Sequence, residues 1–328
     1  MVFSSRLYAI LNALQSPCGC AAAMIFWLNA VAIESDAQNS LEVRGENVLR
    51  APAGGSEIII TTTSRVAGAI DSVRWQDHEF INSFDHGRQL QSASNLDVDG
   101  FLFNEAFNPT EAGSESDADG PTSSSNLLWI TASHRDLVSV TQMAFWLKPG
   151  AKSGNHAALN STVVSNHLLT KHLHLGEPDF EHAIRYAVTY TLPANEHHRR
   201  ATFEAITGYM PFEFSSFHRL LPNDGSLEAI DAGPGEQAHP IVASTSDGRF
   251  AMGAWSPDKS RTNHQPCTYG RWHFAIDKVN KWNCVFREIS DRGLDPGEYH
   301  YVIWVAVGNR EQVRSTLHRL QQRHALQQ

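Results

Sequence analysis

The chain has 328 residues, 41% hydrophobic and 19% charged, with a formal net charge of −9. That length can bury a large core as one domain or two, and the balance excludes both a disordered and a membrane-embedded protein. An acidic total without any Lys/Arg run argues against a nucleic-acid partner and, more mildly, against a densely anionic polymer.

Arg6 is the only charge before an apolar run at 21–32 that ends in Ala30-Val31-Ala32. About a dozen residues is too short for a bilayer and suits a signal peptide. Ser35-Asp36-Ala37 offers a second cleavage point, and a buried N-terminal helix is the competing reading. Residues 1–37 are therefore expected to be a leader, and 38–328 one secreted or periplasmic domain without a membrane anchor. Cys267 and Cys284 are the only cysteines beyond it. In an oxidising compartment they suit a disulfide across neighbouring strands, with two buried free thiols as the alternative.

Short extended segments follow in chain order. Residues 58–63 are β-branched throughout. In 183–192, Ile184, Tyr186, Val188, Tyr190 and Leu192 alternate with Arg185, Thr189 and Thr191, the period of a half-buried strand. Asp247-Gly248 has the composition of a type I′ hairpin turn, and 299–307 is apolar on both faces, as inside a sandwich. One helix stands out at the end: Asn309 and Gln312 form a capping box before the stripe Val313, Leu317, Leu320. Strands with short turns and little helix predict an all-β, antiparallel β-sandwich with a short C-terminal helix.

Residues 92–126 are rich in Ser, Asp, Gly and Pro. The aromatic density of Phe101, Phe103 and Phe107 predicts order to about residue 113, with 114–125 as a mobile tip.

The densest polar cluster is Asn82-Ser83-Phe84-Asp85-His86-Gly87-Arg88-Gln89-Leu90-Gln91. On a strand, His86 and Arg88 share one face, with Gln89 and Gln91 opposite, and Gly87 leaves room for close approach. So many donors and acceptors need partners, either each other or a polyol. Asn104, Glu105, Asn108 and Glu111 add carboxylates and amides that could pair with His86 in acid–base work. Tyr209, Tyr269, Arg271, Trp282 and Arg287 bring rings and cations at strand ends; Lys281, Asn283, Val285 and Arg287 share one face.

The runs 83–91, 107–113, Thr207-Gly208-Tyr209-Met210-Pro211 and 281–287 resemble those of an uncharacterised family of secreted bacterial proteins. More distantly, Gly68-Ala69-Ile70-Asp71-Ser72-Val73-Arg74-Trp75 and the ending Gly297-Glu298-Tyr299 to Val307-Gly308-Asn309 resemble the galactose-mutarotase-like group. That resemblance, over about residues 55–322, implies a supersandwich with its ligand on a concave sheet face; the catalytic motif of its epimerases does not align with this chain.

Three readings follow. In the first, a polysaccharide lyase, Arg88 with Gln91 or Asn108 neutralises a uronate, His86 is the base, and Tyr209 or Tyr269 the acid. In the second, an epimerase or glycoside hydrolase, Glu105 or Glu111 works opposite His86. The third is a non-catalytic carbohydrate-binding module. A carbohydrate ligand is expected, with no metal or other cofactor. His172-x-His174 lacks a third ligand, His197-His198-Arg199-Arg200 reads as a solvated turn, and Glu115 to Gly120 only imitates a calcium loop.

Overall fold

Alternation decides which side of each strand is buried, and the computed structural model, describing residues 43–327, shows two antiparallel layers built on it. Strand Phe180–Leu192 turns Ile184, Tyr186, Val188, Tyr190 and Leu192 inward, each at most 4% exposed. It pairs with Val164–Glu177 on one side and Gly297–Gly308 on the other. This first layer extends through Asp136–Phe145 to Asn126–Ala132, and through Ala251–Trp255 to Ile241–Ser244.

The second layer orders Leu90–Leu96, Arg200–Pro211, Val279–Ile289 and Thr268–Phe274 side by side. Its inward residues meet those of the first. The Tyr190 hydroxyl donates to the Ala93 and Glu204 carbonyls, Ser92 Oγ lies 2.9 Å from the Tyr186 hydroxyl, and Phe286 stacks on Tyr301. The architecture is an all-β antiparallel sandwich, and Glu42–Gln328 forms one compact unit. The expected leader lies outside the described residues.

The apolar outer face of Gly297–Gly308 has its own cover. Trp304 and Ala306 pack with Phe180 and Ala183 under the helix Arg310–Ala325, which inserts Val313, Leu317 and Leu320. Each such side chain contributes roughly 1.5–3 kcal/mol by leaving water. Asn309 and Gln312 exchange the two capping-box hydrogen bonds, both 2.9 Å. No helix among the described residues is long and apolar enough to cross a membrane.

Three local expectations are corrected. The link between Ile241–Ser244 and Ala251–Trp255 spans 245–250, and only Gly248 in it has positive φ, whereas a type I′ turn needs two such residues. Residues 114–125 are docked: Ser114 and Asp117 close a capping box, and the Asp117 carboxylate accepts from the Ser124 amide at 2.8 Å. The Ser and Asp content that reads as mobility is spent on capping backbone groups. Cys267 and Cys284 are buried free thiols. Register sets Tyr269 directly opposite Cys284, and Cys267 Sγ donates to the Tyr269 hydroxyl at 3.2 Å. The Cys267 thiol is thus engaged by hydrogen bonding, to the Tyr269 hydroxyl and with the Cys284 thiol, rather than by a sulfur–sulfur bond.

Candidate functional site

The outer face of the second layer carries the polar chemistry, and a β-bulge puts it there. Glu204 and Thr207 are three apart, so regular alternation would send them to opposite faces. The register of Arg200–Pro211 against Val279–Ile289 slips between Glu204 and Ile206. Both side chains then point outward, and Thr207 Oγ1 donates to Glu204 Oε2 at 2.7 Å. Register also places Tyr209 opposite Lys281, and Lys281 opposite Trp272. The ammonium accordingly lies 5.3 Å from the Tyr209 ring centre and 4.9 Å from that of Trp272. Lys281 Nζ is 3.2 Å from Glu204 Oε2.

Glu204, Thr207, Tyr209 and Lys281 floor a cavity of about 110 Å³, walled by Gln91, Asn95, Asn104, Glu105, Asn108 and Trp146 among others. Gly87 lets the Trp146 ring close in, since a Cβ there would lie 2.7 Å from it. The close approach expected for a ligand at Gly87 is therefore made by an indole. Glu105 holds φ at +65°, a left-handed conformation sparsely used by non-glycine residues, and accepts from Ser153 Oγ at 2.6 Å.

Electrostatics fixes the protonation states. Burial pushes the Glu204 carboxyl up, but the charge of Lys281 and hydrogen bonds from Thr207, Asn283 and Lys281 outweigh it, so the net shift is downward. Burial works against the Lys281 cation, and Glu204 and Tyr209 reverse that effect and raise its pKa. Burial keeps the Tyr209 phenol protonated to higher pH than usual, despite Lys281. An anion, a cation and a neutral phenol sit together at neutral pH.

Of the residues singled out in sequence, Gln91, Asn104, Glu105, Asn108 and Tyr209 line this cavity. The others do not. His86 is 1% exposed, and its Nδ1 and Nε2 meet the Ala118 and Arg65 carbonyls at 2.8 and 2.7 Å, so neither nitrogen is available to a substrate. The segment 81–89 is irregular rather than a strand, which removes the expected shared face of His86 and Arg88. Arg88 pairs with Asp85 and Asp277 at 3.0 and 3.2 Å. Buried Gln89 donates to Ser83 and Asp85, and its carbonyl accepts from the Tyr209 amide, so this segment supports Tyr209 from behind.

Glu111 is buried between the layers, paired with Lys171. Tyr269 and Trp282 point into the sandwich, at 2% and 0% exposure, because period 2 sends Trp282 opposite to Lys281 and Asn283. Arg271 is engaged by Asp231, and Arg287 by Glu236. His172 and His174 flank Asp136 at 3.8 and 2.7 Å, near the surface.

His198 is no solvated turn residue. It is 4% exposed and shares Glu196 with His167. Burial raises the Glu196 carboxyl, but hydrogen bonds from both imidazoles outweigh it and bring it down to about 2.

Sequence reading missed Glu204, Thr207, Asn95 and Trp146, and noted Lys281 only for its face. The visible signal was the broken alternation in Phe203-Glu204-Ala205-Ile206-Thr207. A larger depression, about 760 Å³, lies elsewhere, between the helix and the 176–182 turn, and is lined by charged and polar groups that include Arg135, Glu177, Glu181, His182, Glu311 and Arg319.

No protein-family model matches the sequence, and a search of curated proteins finds no match. Among solved structures the chain is similar to the Slr1438 protein from Synechocystis sp. PCC 6803, with a TM-score of 0.43, 10% identity, and coverage of 86% of this chain and 100% of that one. It is also similar to the α-galactosidase from Lactobacillus brevis, at TM-score 0.39 and 8% identity over 82% of this chain and 40% of that one. A putative aldose 1-epimerase from Klebsiella pneumoniae gives 0.37 and 10% over 80% and 82%. Such scores describe a likeness in outline, in keeping with the distant resemblance of the sequence, and carry nothing about activity.

Proposed function

We propose that the Glu204–Lys281–Tyr209 face binds a neutral carbohydrate and performs acid–base chemistry on it. The observation that carries this reading is charge compensation: Lys281 is held by Glu204 at 3.2 Å, and Glu105 adds a second carboxylate to the wall. A uronate would meet no unmatched cation, which disfavours the lyase reading. Hydroxyls of a neutral sugar would find donors and acceptors in Asn95, Asn104 and Asn108, and Trp146 offers a ring face for its apolar side. Ionised Glu204 can accept a proton and the protonated phenol of Tyr209 can donate one. Lys281 makes the carboxylate a weaker base and burial makes the phenol a weaker acid, so the pair's role rests on its placement beside the cavity. Epimerisation or glycoside hydrolysis fits this pair better than β-elimination.

The test is direct. Neutral aldoses of one anomer and neutral glycosides are followed by polarimetry and by release of reducing ends, alongside uronate polymers followed in the ultraviolet. Turnover of a neutral sugar, lost in Glu204→Gln and Tyr209→Phe, is the expected result. Ultraviolet-absorbing product from a uronate would overturn the reading, and binding without turnover would reduce it to a binding module. The apolar run at 21–32 supports placing this activity outside the cytoplasm. N-terminal sequencing that finds Met1 on protein from the native cytoplasm would refute that part.

A further inference from the structure

We infer that His167, Glu196 and His198 form a binding site for a borderline divalent cation of the zinc type, separate from the polar cavity. His167 comes from strand Val164–Glu177, and the other two from the link between Phe180–Leu192 and Arg200–Pro211. The His167 and His198 Nε2 atoms lie 2.7 and 3.1 Å from one oxygen, Glu196 Oε2. One ligand atom from each residue falls within 4.8 Å of the others. Ligands about 2.0–2.2 Å from a tetrahedral zinc stand a little over 3 Å apart, so small side-chain shifts would admit the ion.

Tautomer chemistry sharpens the case. His198 Nδ1 lies 2.6 Å from the Asp97 carbonyl, which only accepts, so this nitrogen carries a hydrogen. The neutral ring then turns a lone pair from Nε2 toward an anionic oxygen. A positive centre between them, a proton or a metal ion, removes that repulsion. Donation of the second ring nitrogen to a backbone carbonyl is also how metal-bound histidines are oriented. Asp97 is itself fixed, its carboxylate accepting from the Arg199 and Arg200 amides at 2.7 and 2.6 Å.

The donor set selects the ion. Two imidazoles and one carboxylate suit zinc, and calcium or magnesium would want more oxygens. The imidazoles are 1% and 5% exposed, whereas the Glu196 side chain is 20% exposed. A depression of about 380 Å³ reaches Glu196 and His198 from outside and leaves room for water at a fourth position. The Phe107 ring, 6.0 and 5.6 Å from the two imidazoles, borders the same depression. Bound metal would tie the 193–199 link to strand Val164–Glu177.

Equilibrium dialysis of the metal-free protein against Zn²⁺ with elemental analysis tests the site, with Mg²⁺ as the comparison ion. One equivalent of zinc, no magnesium, and a melting temperature raised by zinc are expected. Glu196→Gln and His198→Gln should each weaken zinc binding at least tenfold, while His174→Gln leaves it unchanged. Cobalt substitution should give the visible absorption of a tetrahedral centre. Because buried His167 is not needed as a variant, a folding failure there does not blunt the test. No stoichiometric zinc, or zinc retained by both variants, would overturn the inference and leave the three side chains as a proton-sharing network.

Discussion

Two Lys–Glu pairs in this protein have the same chemistry and different surroundings. Lys171 and Glu111 lie between the layers at 0% exposure, and every partner they have is protein: Lys171 also donates to the Gly68 carbonyl at 3.2 Å, and Glu111 accepts from the Ser92 amide at 3.0 Å. Lys281 and Glu204 lie on the outer face at 15% and 24%, beside a cavity. The first pair is closed on itself. The second keeps a side open to whatever enters. A charged cluster becomes a candidate site when its hydrogen-bonding capacity reaches a space, which neither composition nor local density reveals.

Breaking the closed pair should have the largest effect on stability. Lys171→Met leaves Glu111 buried without a counter-charge and should cost about 3–5 kcal/mol in urea unfolding, whereas Lys171→Met with Glu111→Leu should recover much of that loss. Sugar turnover in the folded fraction should hold. His86 comes next. His86→Ala strands the Ala118 and Arg65 carbonyls and should cost about 1–3 kcal/mol, again with turnover retained per folded molecule. Loss of turnover at unchanged melting temperature would return His86 to the site.

The open pair should invert this pattern. Lys281→Met should reduce turnover or binding by more than tenfold and cost only about 1–2 kcal/mol, because water can reach the stranded Glu204. Equal losses in both pairs would erase the distinction. The acid limb adds a second measure. Glu204 has its folded pKa below the ordinary 4.5. Its contribution is therefore present above that unfolded value and lost as pH falls through the folded one. Lys281 is raised above 10.5, so its contribution is present below that value and lost only as pH rises through the folded one. In Glu204→Gln, stability should fall less steeply below about pH 4.5 than in the parent.

The same contrast explains what was legible in the sequence. The inward row from Ile184 to Leu192 and the capped helix after Asn309 are local patterns, and both stand as read. Glu105, Asn108 and Tyr209, all half-buried at the cavity, were reachable because polar groups interleaved with aromatics invite a ligand. His86 and Glu111 misled because a polar residue satisfied by the backbone or by a partner 60 positions away looks the same in sequence as a free one. Glu204 was missed because its direction depends on a slipped register between strands, a property of the pairing and not of either strand alone.

The smallest effect should come from Arg287, which shares strand Val279–Ile289 and its face with Lys281. Its guanidinium reaches Glu236 at 2.7 Å and Thr268 at 2.8 Å, with its side chain 42% exposed. Water screens such a pair, so Arg287→Ala should lower stability by less than about 1 kcal/mol, and the difference should shrink further in high salt. Sugar binding should be unchanged within error, because Arg287 does not line the Lys281 cavity. Measured beside Lys281→Met, this variant isolates position from charge: both substitutions remove one cation from the same strand face, and only one borders the space. A binding loss in Arg287→Ala as large as that in Lys281→Met would mean that the ligand extends along the sheet toward Glu236, and that the site is a groove longer than the cavity.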